Sequence, residues 1–266
     1  MVRDQGLLRP DGGHLAEGAA EAEAGAFEAV APYYDLLMSA VPYDVWTDYY
    51  RLLLSQMGSR PATLLDVCCG TGTVAERMAR AGCLVTGIDR SPRMIDVALA
   101  RAEATGLPMR FVVADVTAFD LAQTFEGAFS FFDSLNYVTD AAGLTRALAR
   151  VAAHLESGAS LVFDLNTAYA FEKRMFDQQE SRRSAPVRYV WKGEYDPATR
   201  IIRVSMRFET DDGAFQETHF QRAHSDDEVR QALSDAGFVD VRSYDSYTLN
   251  PPRKRSDRVH YTAVKS

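Results

Sequence analysis

The stretch Leu64-Leu65-Asp66-Val67-Cys68-Cys69-Gly70-Thr71-Gly72-Thr73 runs a short apolar segment into a glycine turn, and Asp89 and Asp115 end the next two apolar segments. Glycines at 70 and 72 let the backbone turn tightly and approach a ligand closely. A turn of this kind at the carboxyl end of a parallel strand is where open α/β sheets bind their ligands. Position 75 is alanine, so the full Gly-x-Gly-x-x-Gly of dinucleotide sites is missing, and so is a Walker lysine. Carboxylates at 66, 89 and 115 along one edge would repel a pyrophosphate. They suit a cationic, hydroxyl-rich ligand, with Asp89 placed to accept from two ribose hydroxyls and Asp115 at the next station. NAD and ATP are thereby disfavoured. A single strand-end aspartate is often a turn former, so the reading rests on all three together.

These residues need a scaffold that sets strand ends side by side. After Pro61, short apolar runs alternate with helical periodicity, the pattern of a parallel sheet wound by crossovers. The spacing predicts strands over 63–67, 83–89, 109–115, 127–132 and 160–165, the fourth nearly all apolar, as suits burial on both faces. Helices are expected over 73–81, after Ser91-Pro92 and after Asp140; a serine cap followed by proline is pre-organised for a helix start. Alternating segments at 188–191, 201–208 and 215–220, with Asp211-Asp212-Gly213 as a turn, predict an inserted antiparallel lid. A helix over 226–236 and strands over 238–244 and 259–264 close the chain. Ahead of the core, a helix from Trp46 carries Tyr49, Tyr50, Leu53, Leu54 and Met57 at helical spacing, with Gly58 as its stop. The Gly/Ala/Glu-rich residues 1–25 have little to bury and read as a flexible leader. The expected organisation is α/β: leader (1–25), N-terminal helical cap (26–60), Rossmann-like doubly wound core (61–165), antiparallel β lid (166–224), and a C-terminal helix with closing strands (225–266) that completes a seven-stranded, mostly parallel sheet.

With these motifs the chain resembles the class I S-adenosylmethionine-dependent methyltransferases over roughly residues 30–264, with 66–72 matching motif I, Asp89 motif II and Asp115 motif III. The resemblance implies S-adenosyl-L-methionine as cofactor. By it, the turn with Asp66, Gly70 and Gly72 holds the methionine portion and Asp89 the ribose, Asp115 and Val116 sit at the adenine, and Met94 forms an apolar wall. Tyr34-Asp35, the run Asp133-Ser134-Leu135-Asn136-Tyr137 and Glu217-Thr218-His219 are similar to bacterial small-molecule methyltransferases, including those of amino sugars and natural products. That similarity implies that Tyr34 closes over the cofactor, Cys68 contributes backbone contacts and Phe132 borders the adenosyl group. Cysteine at 68 departs from the alanine or other small residue usual there, which is tolerable where the backbone makes the contact.

In-line methyl transfer asks chiefly for alignment of the reacting atoms. An amine acceptor must arrive neutral or lose a proton nearby, and a hydroxyl needs a base within reach. His219 on the expected lid strand is the candidate base, since imidazole titrates near neutrality; a histidine simply hydrogen-bonded within the sheet is the competing reading. Tyr33, Asn136, Tyr137 and Trp191 are the acceptor-side candidates, and the rings of Tyr33, Tyr34, Tyr137 and Trp191 are able to face a cation or merely to fill a core. Nitrogen is expected as acceptor ahead of oxygen. Aminopropyl transfer, and a binding module without transferase activity, stand as rival readings.

With 47% apolar residues, the 266-residue chain can bury a full core. A net charge of -8 gives phosphate backbones little to hold, so no nucleic-acid partner is expected. The cluster Arg253, Lys254, Arg255 and Arg258 runs against that trend, either as a solvated loop or as a contact for an anionic substrate. Three cysteines, two of them adjacent, offer neither a disulfide framework nor a spaced metal-ligand set, so no metal is expected. Neither an export signal nor a membrane-length apolar run is evident, which points to the cytoplasm and away from membranes. Monomer and homodimer both stay open.

Overall fold

The computed structural model describes residues 25–266, so the expected leader lies almost wholly outside the described residues. A 3-10 turn (Ala31–Tyr33) and a short helix α1 (Tyr34–Leu37) lead into α2 (Tyr43–Gln56). The wound core follows as β1 (Thr63–Val67), α3 (Thr73–Arg80), β2 (Leu84–Asp89), α4 (Pro92–Thr105), β3 (Met109–Val113), β4 (Phe125–Ser130), α5 (Ala141–Ala153) and β5 (Leu155–Asn166). A short helix α6 (Ala168–Glu172) precedes β6 (Gln178–Glu180), β7 (Arg188–Asp196), β8 (Ile201–Thr210) and β9 (Gly213–Arg222). The chain closes with α7 (Asp226–Asp235), β10 (Phe238–Asp245) and β11 (Arg258–Lys265).

The main sheet has seven strands in the order β10-β11-β5-β4-β1-β2-β3. Strands β1 to β5 pair in parallel, and β11 runs antiparallel to both β5 and β10. Successive residues of a strand face opposite layers: Leu65 packs with Leu144, Leu148 and Val151 of α5 and Leu233 of α7, whereas Leu64 packs with Tyr50 and Leu53 of α2, Met78 of α3 and Ile95 of α4. The strand order reverses between β1 and β4, which opens a crevice at their carboxyl ends. A second sheet, antiparallel with order β6-β7-β8-β9, stands over that crevice. Its buried face carries Ile202, Val204, Met206 and Phe208, packed with Val30 and Phe171.

The helix starts follow the expected caps. Ser91 accepts from the Met94 N–H ahead of Pro92, and Asp140 accepts from the Gly143 N–H. Helix α7 begins on a capping box that pairs Ser225 with Glu228. Helix α2 begins at Tyr43, earlier than the expected Trp46. Strand β3 ends at Val113, short of Asp115, once the Ala114 N–H has bonded the Asp89 carbonyl. Strand β4 covers Phe125–Ser130 rather than 127–132, because Phe132 and Asp133 leave the ladder in left-handed conformation (φ 65° and 51°). Strand β5 begins at Leu155, well before 160, where Leu155 pairs with Phe125.

Candidate functional site

A cavity of about 790 Å³ occupies the crevice, within the range of small-molecule sites. Its floor comes from the strand ends. Cys68 has a positive φ of 59°, and Gly70 follows in the same region at 53°, so the chain after β1 coils beneath the cavity. A Cβ added at Gly70 would meet nothing within 4 Å. The backbone is therefore bare on the side where a ligand can lie. The Asp89 carboxylate is fixed by two backbone donors, Gly70 N–H to Oδ2 at 2.9 Å and Ser91 N–H to Oδ1 at 3.0 Å. Burial pushes the Asp89 carboxyl above its usual range, and the Ser91 and Gly70 donors pull the other way. Asp115 lines the cavity from the turn after β3, with Oδ1 accepting from the Thr117 N–H at 2.7 Å. Met94 and Val116 present apolar side chains to the same region.

The roof comes from distant segments. Tyr34 and Phe27 line the cavity, and burial pushes the Tyr34 hydroxyl well above its ordinary range. The N-terminal segment is fastened at three places. Glu217 of β9 accepts from the N–H groups of Phe27 (3.1 Å), Ala29 (2.8 Å) and Val30 (2.9 Å). Ser91 donates to Glu28 at 2.8 Å. Asp35 accepts from Thr71 at 2.7 Å and from Arg101 at 2.5 Å, tying α1 to the glycine turn.

At the far end, Tyr137, His219, Gln221, Asp133, Arg258 and Trp191 line the wall. His219 Nε2 lies 2.7 Å from Glu217 Oε2, and its Nδ1 lies 2.9 Å from the Tyr137 hydroxyl. Arg258 donates to Asp133 at 2.7 Å and to Asp164, so two carboxylates share one guanidinium. Gln221 donates to Asp133 at 2.7 Å, while its buried Oε1 and the Trp191 Nε1 have no hydrogen-bond partner among the described residues.

The cavity thus gathers Tyr34, Cys68, Gly70, Asp89, Met94, Asp115, Val116, Phe132, Tyr137, Trp191 and His219 of the expected residues. Four others stand elsewhere. Asp66 is buried a layer below the cavity, where burial and the neighbouring Asp89 push its carboxyl well up, so it does not line the edge with the other two carboxylates. Gly72 caps α3 at φ 76°, and a Cβ there would fall 2.7 Å from the Phe111 ring; it is not among the residues that line the cavity. Asn136 is fully buried, its amide donating to the carbonyls of Asn166 and Arg222, so it brackets three chain segments instead of facing an acceptor. Tyr33 points to the surface, where its hydroxyl donates to Asp212 at 2.8 Å and its ring stacks on Phe215. The basic cluster also divides: Arg253 pairs with Asp245 on the exterior, whereas Arg258 enters the cavity wall.

Gln221 was not expected at the site, and Arg258 was raised only within the basic cluster, as one of four possible contacts for an anionic substrate. A signal for the first was present: Glu217, His219 and Gln221 put three polar residues on one face of β9, and that face is the buried one. Among the described residues there is no group of three or more His, Cys, Asp or Glu that could hold a metal, and no helix long and apolar enough to cross a membrane.

Residues 64–158 match a family model described as a methyltransferase domain. A candidate methyltransferase of Geobacillus sp. (strain WCH70) is 31% identical over 245 residues, which span 90% of this chain and 99% of that protein. The chain belongs to the S-adenosylmethionine-dependent methyltransferase family. Within that family, the candidate methyltransferase YqeM of Bacillus subtilis is 29% identical, covering 90% of this chain and 97% of its own. Among solved structures, an S-adenosylmethionine-dependent methyltransferase of Clostridium acetobutylicum shares the fold with a TM-score of 0.78 at 22% identity, over 88% of this chain and 96% of its own. A sugar N-methyltransferase of Streptoalloteichus sp. shares it with a TM-score of 0.70 at 18% identity, over 100% of this chain and 97% of its own.

Proposed function

We propose that this methyltransferase acts in the cytoplasm on the nitrogen of a small-molecule amine. The observation that carries the acceptor reading is the far end of the cavity, where two carboxylates share one guanidinium beside the rings of Tyr137 and Trp191 and a phenol backed by an imidazole. Excess negative charge and aromatic faces favour a cationic amine, and the phenol–imidazole pair offers its proton somewhere to go. The free state of Cys68, Cys69 and Cys83 accords with a reducing compartment.

The floor fits an adenosyl group. Asp89, held by two backbone donors, would accept from the ribose hydroxyls, and Met94 and Val116 would flank the adenine with Asp115 at its edge. The bare backbone at Gly70, with Cys68 beside it, would meet the methionine portion. S-adenosylmethionine supplies, when bound, a methyl group made electrophilic by its sulfonium. Tyr34 and Phe27 would exclude water from above, and Phe132, left-handed after β4, lines the cavity with its ring packed on Tyr43 and Trp46. What the chain contributes is alignment and removal of a proton, which can supply much of the barrier reduction such a displacement needs.

Calorimetric titration with S-adenosylmethionine and S-adenosylhomocysteine tests the floor; micromolar binding of both is expected, and none would refute the cofactor assignment. Transfer of isotope-labelled methyl to glucosamine, benzylamine and cyclohexylamine, run against phenol and benzyl alcohol, tests the acceptor reading. Label on amines is expected. Label confined to the hydroxyl compounds would move the reaction to oxygen.

A further inference from the structure

The amine reading leaves open which atom receives the proton, and His219 is poorly placed to be that atom. It is 1% exposed and both of its ring nitrogens are engaged. We infer that Tyr137 is the catalytic residue that touches the acceptor, with His219 and Glu217 as positioning residues that carry its proton away; this inference rests on the amine reading above.

The direction of the chain of hydrogen bonds follows from counting donors. Glu217 Oε1 accepts from Ala29 and Val30, and Oε2 accepts from Phe27 and stands 2.7 Å from His219 Nε2. Burial acts to raise the Glu217 carboxyl, but His219 and the backbone donors outweigh it, and the group is held below its ordinary range. An ionised carboxylate has no proton to give, so Nε2 carries the hydrogen. In the neutral ring Nδ1 is then a bare acceptor, and the Tyr137 hydroxyl 2.9 Å away donates to it. Tyr137, partly exposed in the cavity wall, accepts from the Gln221 amide and is left with one oxygen lone pair for a donor on the acceptor.

The groups that bear on Tyr137 are Asp133 from its own turn, Glu217 and the Gln221 amide from β9, and Arg90 from the end of β2. Burial first, then Asp133, pushes its phenol far up, so the neutral form persists and Tyr137 works as a conduit. The proton of the ammonium passes to Tyr137 Oη as the Tyr137 hydroxyl proton passes to His219 Nδ1. Tyrosine ends as it began, the imidazole becomes imidazolium, and Glu217 compensates its charge. The amine nitrogen is left with a free lone pair, which inversion at nitrogen or rotation about its C–N bond turns toward the methyl donor. Glu217 also holds the backbone of Phe27, Ala29 and Val30, so the same carboxylate ends the conduit and fastens the segment that lines the cavity.

The test has two arms. Protein carrying ¹⁵N-histidine and saturated with S-adenosylhomocysteine is examined by two-bond ¹H–¹⁵N spectroscopy, where His219 is expected to carry its proton on Nε2, and Tyr137→Phe is expected to shift only the Nδ1 signal. A proton found on Nδ1 overturns the inference, whether or not any amine is turned over. With the amine that reacts fastest in the panel above, Tyr137→Phe and His219→Gln are each expected to lower kcat about 100-fold. The KM for the amine and the affinity for S-adenosylhomocysteine should stay within about twofold, and the double variant should be no slower than either single one, as for residues acting as a unit. Full kcat in Tyr137→Phe alongside a loss in His219→Gln would instead make His219 the direct base. Failure of every amine to react sinks the amine reading, and the spectrum still decides for or against the hydrogen-bond order.

Discussion

The floor and the roof of the cavity are built on opposite plans. The floor is short-range in sequence: Cys68, Gly70 and Asp89 come from two adjacent strands, and their geometry is set by backbone donors and left-handed turns. The roof and the far wall are long-range: Glu217 reaches back 187 to 190 positions to hold the N-terminal segment, and Arg258 reaches back 125 to Asp133. A site made of backbone tolerates side-chain drift around it. A site made of side chains from distant segments can be retuned for a new acceptor by single substitutions.

The largest effect is expected at Asp89, in the floor. In Asp89→Ala the N–H groups of Gly70 and Ser91 lose their acceptor along with the ribose hydroxyls, and affinity for S-adenosylhomocysteine should fall about 100-fold by calorimetry. Next comes Gly87 beneath the floor, where an added Cβ would fall 2.6 Å from the Phe111 ring and 2.8 Å from Cys69 Sγ. Gly87→Ala should cost about 2–3 kcal/mol in denaturant unfolding, the usual scale of overpacking; a loss under about 0.5 kcal/mol would mean that the floor yields to the added methyl.

Acid should act at the buried histidines. Burial, then Arg258, lowers His260 to about 3, and burial, then Arg222, lowers His224 to about 4. Between those values and the unfolded histidine value near 6.5, the unfolded chain binds more protons than the folded one. Stability therefore rises with pH through that window, levels off above it, and falls by about 2 kcal/mol at His260 between pH 7 and pH 5. Unfolding of His260→Phe should show a shallower slope over that range; an unchanged slope would remove His260 as the cause.

The roof is sharpened by Glu217→Gln, which keeps the shape but gives up the charge that holds three N–H groups and His219. Proteolysis within residues 27–38 should quicken, and affinity for S-adenosylhomocysteine should fall about tenfold, the scale of one charged hydrogen bond. The smallest effect belongs to Arg253→Ala on the exterior, whose side chain is 79% exposed; a change in stability within about 0.5 kcal/mol is expected there.

The sequence made the floor legible because its determinants are local. An apolar strand, a glycine pair and aspartates at strand ends carry their meaning within a few residues, and the caps at Ser91 and Asp140 likewise depend only on neighbours. Gly70 and Gly72 looked alike in the string, yet one faces the cavity and the other Phe111, a difference set by which side of the turn packs on β3. Tyr33 and Tyr34 are adjacent as well, and a short helix beginning between them sends one to Asp212 and the other into the cavity. Asn136 could not be told from an acceptor ligand without knowing that β5 and β9 present carbonyls to its amide. Arg258 was hidden in a charge cluster whose members diverge only once β11 inserts beside β5.

Cys68 gives the cavity a further property. A thiolate in a chamber built for an alkylating cofactor would itself be alkylated, and the catalyst would be consumed by its own reagent. Burial, with Asp89 adding to it, pushes the Cys68 thiol well above its ordinary range. The sulfur stays protonated and only weakly nucleophilic. The same desolvation thus makes a competing nucleophile in the cavity wall inert, which is a form of self-protection written into the turn after β1.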